Sequence, residues 1–201
     1  EKKGMSKGIT DPERLLKCEN IKKKRIIFIR HGESVWNEMF NKGFLPPGFP
    51  FRVFRGVVRE LFLLTSRDSV FYDSPLSSEG ETQAKDLASF LSSDSNSKDK
   101  LIRILNGEEG SSVVVSSCLR RALSTVFIGL HGRFEKYGGK ILSMSVLQEM
   151  SRNVDTVAVS PARKLARLPV CERRYGSDGY VPFFDSASHG GNKSPFRRAY
   201  K

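Results

Sequence analysis

Apolar residues come in short runs along the chain, and the spacing within each run predicts its element. Residues 25–30, RIIFIR, are continuous β-formers and predict a short buried strand, with a helix following from about Gly32. Residues 41–51, NKGFLPPGFPF, are full of Gly and Pro and predict a loop. In 51–65, FRVFRGVVRELFLLT, positions 54, 57, 58, 61 and 62 share one helical face and Arg52, Arg55 and Arg59 share another. Residues 73–91, DSPLSSEGETQAKDLASFL, predict a turn and then a helix, with Ser78 and Glu81 in the spacing of a capping box. A polar loop follows at 92–100 and a short helix at 101–106.

The second half repeats the alternation. SSVVVSS, 111–117, holds a continuous β-branched run of three valines, as in strands covered on both faces. A helix, LRRALSTVFIGL, comes next, and KILSMSVLQE, 140–149, is a third strand candidate. PARKLARL, 161–168, has the pattern of a short helix, whereas the Gly-, Ser- and Pro-rich stretch from Cys171 onward shows no firm periodicity and predicts a long excursion. Strands alternating with helices imply an α/β fold, a three-layer sandwich whose parallel-rich sheet carries helices on both faces. We divide the chain into an N-terminal basic arm, 1–24, with a short helix at DPERLLKCE, and one domain, 25–201, with an inserted loop and helix at 38–72.

Composition narrows the setting. No apolar run approaches the roughly 18 residues of a membrane span, and no apolar stretch follows the lysines of EKKGMSKG, so neither a transmembrane segment nor a signal peptide is expected. Three widely spaced cysteines, Cys18, Cys118 and Cys171, speak against a disulfide framework or zinc site and for a reducing, cytoplasmic setting. The net charge of +12 is carried almost wholly by residues 1–25 and 159–201, leaving the middle nearly neutral. The aromatics do not interleave with the basic runs, so no nucleic-acid partner is expected.

If the strands are as predicted, Arg30 and His31, Cys118 to Arg121, and Glu149 all fall at strand carboxyl ends, where α/β folds gather their chemistry. Two arginines clamp the oxygens of a phosphate monoester, and a helix N-terminus near Gly32 adds N–H groups. A neutral His31 is then placed to attack phosphorus, provided an acceptor on its other nitrogen fixes the tautomer. Glu149 supplies the proton for the leaving alkoxide. This chemistry demands no metal and no cofactor. Cys118 reads as a buried structural thiol and His131 as a surface or partly packed residue.

RHGESVWN at Arg30–Asn37 resembles the signature of the histidine phosphatase superfamily, the phosphoglycerate-mutase-like proteins. DSPLSSEGETQA at 73–84, SSCLRRALST and LQE ending at Glu149 resemble three further motifs of that family, in the same order. The resemblance implies a phosphoglycerate-mutase-like fold, His31 as nucleophile, Glu149 as proton donor, and a phosphate pocket of Arg30 and Arg121 lined by Ser34 and Asn37. Arg120 is the competing clamp residue, otherwise a surface arginine, and Glu172 in CERRYG is the rival acid. The substrate implied is a small phosphorylated molecule or a phosphoprotein; oligomeric state is left open.

Two features depart from the family pattern. Its second histidine follows a late hydrophobic strand, whereas His189, in DSASHGGNKS, follows polar and small residues. His189 is therefore expected in a loop far from His31, with the second histidine beyond Lys201 and little turnover by the chain as it stands. The 38–72 insertion replaces a short substrate-binding segment of the mutases and favours a phosphatase over a cofactor-dependent mutase. A non-catalytic anion-binding member is the third reading.

Overall fold

The computed structural model describes residues 24–43, 48–63, 68–93, 99–149, 151 and 153–191. The helix expected at 11–19, Cys18 and the basic segment after 191 lie outside them. The described elements are α1 (Val35–Phe40), α2 (Gly48–Leu63), α3 (Ser78–Ser92), α4 (Lys100–Leu105), β1 (Val114–Ser117), α5 (Arg120–Tyr137), β2 (Ile141–Met144), α6 (Pro169–Tyr175) and β3 (Phe184–Asp185). The fold is mixed α/β, with a small parallel sheet in the order β1-β2-β3.

Helix α5 is the axis of the core. Its Leu123, Phe127, Leu130 and Phe134 are buried together with Ile141 of β2, Phe184 of β3, Leu168, Cys171 and Tyr180. Phe127 is wholly buried, with the rings of Tyr175, Phe183 and Phe184 at 5.1, 5.4 and 5.8 Å. Such ring clusters add attraction beyond the area they bury. Helix α3 packs across α5 where Gly129 meets Leu87, and a Cβ there would crowd the leucine at 2.7 Å.

Five expectations need correction. Residues 25–30 form no strand: no ladder pairs with them among the described residues, and Phe28 is 90% exposed. A strand is satisfied only by a neighbour, so an apolar β-forming run without one stays irregular. β1 is not covered on both faces, since Val113 and Val115 are exposed while Ser116 is buried. Residues 161–168 are not helical, and Pro169 instead opens α6 at its first turn, where a missing N–H costs nothing. The excursion after Cys171 contains β3, two residues long, which pairs with β2 through Phe184 and Asp185. The cap of α3 is Ser77, not Ser78; its hydroxyl accepts from the Gly80 N–H at 3.1 Å.

Arg120 is buried, not a surface residue. Its Nε donates to the Asp73 carbonyl at 2.6 Å, and its terminal nitrogens donate to Tyr72 O at 2.9 Å, Ser69 O and the Asp68 carboxylate. The Asp73 carboxylate accepts the Arg120 N–H at 2.7 Å, capping α5 from outside because Leu119 has no side-chain cap to offer. Asp73 itself has φ +46°, a left-handed conformation that aspartate tolerates better than most residues.

Removing one partner of a buried ion pair leaves the other uncompensated. Arg120→Ala is expected to lower stability by about 3–5 kcal/mol, measured by urea unfolding. Burial, against the opposing Arg120 charge, raises the Asp73 pKa from 3.8 to about 6. A raised carboxyl binds its proton more tightly when folded, so its stability contribution is full below pH 3.8 and is lost as pH rises through about 6. Asp73→Asn should flatten that part of the stability–pH curve, and an unchanged slope would show that Asp73 does not titrate there.

Candidate active site

His31 lies just before a glycine turn that is fastened on two sides. The Gly32 N–H donates to Thr125 Oγ1 at 3.0 Å, and the Thr125 hydroxyl donates to the Arg121 carbonyl at 2.8 Å, tying the turn to the first turns of α5. On the other side, Ser77 N–H donates to Glu33 O at 2.9 Å and Glu33 N–H to Gln83 Oε1 at 2.9 Å. The backbones of Gly32 and Gly80 nearly touch: a Cβ on Gly32 would come 2.5 Å from Gly80 O, and one on Gly80 would strike Glu33 O. Both positions therefore require glycine for close approach.

The helix expected from Gly32 starts at Val35, with Ser34 as its cap. The Gly32 and Glu33 N–H groups are already engaged, so they are not the free donors the sequence implied.

The His31 Nδ1–H donates to the Gly32 carbonyl at 2.7 Å, which leaves the lone pair on Nε2. Arg121 Nε donates to that Nε2 at 3.1 Å across ninety residues of sequence. Burial, reinforced by the charges of Arg121 and Arg30 and opposed by the Gly32 hydrogen bond and Glu149, holds the His31 pKa below its ordinary value of 6.5. The imidazole is thus neutral at pH 7.

Arg121 is buried and spends its guanidinium on three partners. Besides His31, one terminal nitrogen donates to Glu149 Oε2 at 2.8 Å, and the other donates to Asp155 O at 2.8 Å and lies 3.2 Å from Asp155 Oδ2. Glu149 does not sit at the end of a strand. β2 stops at Met144, and a tight turn at Ser145–Leu147 carries the chain on. Gln148 Nε2 then donates to Thr156 O at 2.5 Å, binding the segment before Glu149 to the turn that holds Asp155. The Glu149 side chain is 53% exposed, whereas Asp155 is buried and its pKa is raised by that burial against the pull of Arg121.

Asp155 was not legible in the sequence: a single aspartate in NVDTV carries no spacing that points to Arg121. Arg30 is exposed beside His31. Ser34 and Asn37 serve α1 instead: Ser34 Oγ accepts the Asn37 N–H at 3.2 Å, and Asn37 Oδ1 accepts from Asn41 at 3.2 Å. Neither shares a hydrogen bond with His31 or Arg121 among the described residues. Glu172, the rival acid, is held on α6 by Arg167 at 2.8 and 2.9 Å. His131 is partly packed among Phe127, Tyr175 and Phe183, with Glu135 at 3.1 Å.

His189 lies in the loop after β3, and its ring is buried. Its Nδ1 accepts from Gly191 N–H at 3.3 Å, its carbonyl accepts from Arg163 N–H, and Gly190 N–H donates to Ser145 Oγ. It shares no hydrogen bond with His31 or Arg121 among the described residues. Cys118 is fully buried, and its thiol is pushed up to about 12 by desolvation, which makes it inert at neutral pH. Among the described residues no three His, Cys, Asp or Glu side chains group to hold a metal ion.

No protein-family model matches the chain, and neither curated proteins nor solved structures show a match to it. The geometry of the site is a neutral imidazole whose Nε2 lone pair accepts from a buried guanidinium, flanked by an exposed arginine. Side chains of these types can hold an anion and present a nucleophile to it.

Arg121 depresses the His31 pKa by its charge. Arg121→Ala should shift the His31 titration upward, followed through its ring proton resonances by NMR. A titration that stays in place would mean the two side chains do not meet in solution.

Proposed function

We propose that this chain is a phosphatase of the histidine phosphatase type, built on a phosphoglycerate-mutase-like three-layer α/β fold and hydrolysing a phosphate monoester through a phosphohistidine. One observation carries the reading: His31 Nε2, the nitrogen without a proton, is met by Arg121 Nε at 3.1 Å. The substrate's phosphoryl oxygens take over the N–H groups of Arg121, with Arg30 adding charge from the exposed side. Release of the His31–Arg121 contact frees Nε2 to attack in line. The N–P bond forms as the ester P–O bond breaks, and Glu149 gives its proton to the departing oxygen. Water then attacks phosphorus as the N–P bond breaks, its proton passing to the Glu149 carboxylate, and inorganic phosphate leaves with His31 neutral again.

The exposure of Glu149 favours hydrolysis over phosphoryl transfer between substrates. A mutase must keep water from its phosphoenzyme, and here the rim residue stands in solvent. The substrate class is a small phosphorylated molecule or a phosphoprotein.

Aryl phosphate hydrolysis is the test. His31→Ala should lower kcat/KM by at least about a thousandfold with the fold intact; turnover near the wild-type value overturns the assignment. Because the neutral form of His31 attacks and its pKa lies below 6.5, kcat/KM should hold as pH falls through 6.5 and decline only at lower pH. Glu149→Gln should split the two functions. It removes the proton donor, lowering kcat by about 10²–10⁴-fold, and it removes a carboxylate that competes for Arg121, so inorganic phosphate should bind more tightly. Weaker phosphate binding in that variant would assign Glu149 a supporting role instead.

A further inference from the structure

Helix α2 is amphipathic, but it faces the wrong way for a helix that merely packs. Its buried contact is Gly56, where a Cβ would collide with Met39 Sδ of α1. Its one acidic residue, Glu60, points inward, accepting the Ser69 hydroxyl and the Val70 N–H, both at 2.7 Å. Arg52 is likewise tethered, donating to Gly43 O at 2.6 Å. Gly56, the Glu60 carboxylate, and Phe49 and Leu63, which pack toward Phe40 and the Val35–Met39 cluster, face the protein, while five other apolar side chains face out. Phe51, Phe54, Leu61 and Phe62 are 67%, 66%, 59% and 81% exposed, and Val57 is also exposed. At 3.6 residues per turn these positions form one continuous stripe, bordered on one side by the exposed Arg55 and Arg59.

Single exposed apolar residues are ordinary, but a stripe of three phenylalanines and a leucine along one helix is not. We propose that α2 seats this protein on an anionic lipid bilayer, lying in the plane of the interface with the phenylalanine and leucine side chains in the acyl boundary and Arg55 and Arg59 at the phosphate level. That combination of an apolar face and arginines beside it is what interfacial helices use. Charge decides against a second copy of the chain as the occupant. In a two-fold contact through this stripe, Arg55 and Arg59 of both copies would enter one interface, and the only carboxylate of α2 is turned away from it. A surface of lipid phosphates matches those arginines without any such conflict.

The inference does not rest on the hydrolase reading, and His31→Ala should bind vesicles as the wild type does. The test is co-sedimentation of the full chain with vesicles of phosphatidylcholine alone and of phosphatidylcholine with about one part in three phosphatidylserine. The protein should pellet with the anionic vesicles and much less with the neutral ones, and added salt should release it. Phe54→Ser with Leu61→Ser, and separately Arg55→Glu with Arg59→Glu, should each weaken binding at least about tenfold. All four positions are exposed, so both double variants should keep the wild-type Tm. Failure to bind either vesicle, or binding that neither double variant weakens, overturns the proposal. So does a dimer in vesicle-free buffer that the Phe54→Ser, Leu61→Ser variant dissociates, since that makes a second copy the occupant.

Discussion

Arg121 can face His31 because Arg120, one residue earlier, is immobilised. The Arg120 guanidinium reaches back over the 68–73 turn and donates to three of its carbonyls and a carboxylate, while the Asp73 carboxylate accepts from the Arg120 backbone N–H. Every bond in that exchange fixes the first turn of α5, and so fixes where the next side chain points. Successive residues on a helix diverge by about 100°, so one arginine is committed to the interior turn and the other to the site. The same turn leads directly into Ser77 and Gly80, the pair that receives the backbone of Gly32 and Glu33. A single polar junction therefore positions both halves of the candidate site, although they lie ninety residues apart in sequence.

How far the sequence showed this depends on whether a feature is local. The helix over 51–65 and the helix after Ser77 follow from spacing and a cap, and both are present with shifted ends. The strand at 111–117 is present but shorter, and open on the face where Val113 and Val115 lie. RIIFIR has the composition of a strand and is not one, because pairing is a property of the neighbour as well as the run. β3 was invisible for the converse reason: two residues, Phe184 and Asp185, join the sheet only because Ile141 and Leu142 offer them a ladder.

The site was legible to the same extent. His31, Arg121 and Glu149 sit in motifs whose residue types announce their chemistry, and the structure brings those three together. Which of two adjacent arginines faces His31 was a matter of helix phase, not of residue type. Asp155 had no signal because its role comes from the hydrogen bond between Gln148 and Thr156, which folds a featureless loop back under Arg121. Ser34 and Asn37, named from the same motif, are seen to start and hold α1.

The two carboxylates on Arg121 differ in burial, and that difference sets what a ligand can displace. A buried guanidinium without a counter-charge is costly, so Arg121 needs acidic partners. Asp155 is enclosed, grips Arg121 through both its carbonyl and its carboxylate, and gains little from leaving. Glu149 is half in water, where a freed carboxylate is solvated at small cost. On the proposed function, an incoming phosphate would therefore trade places with Glu149 and leave Asp155 in position.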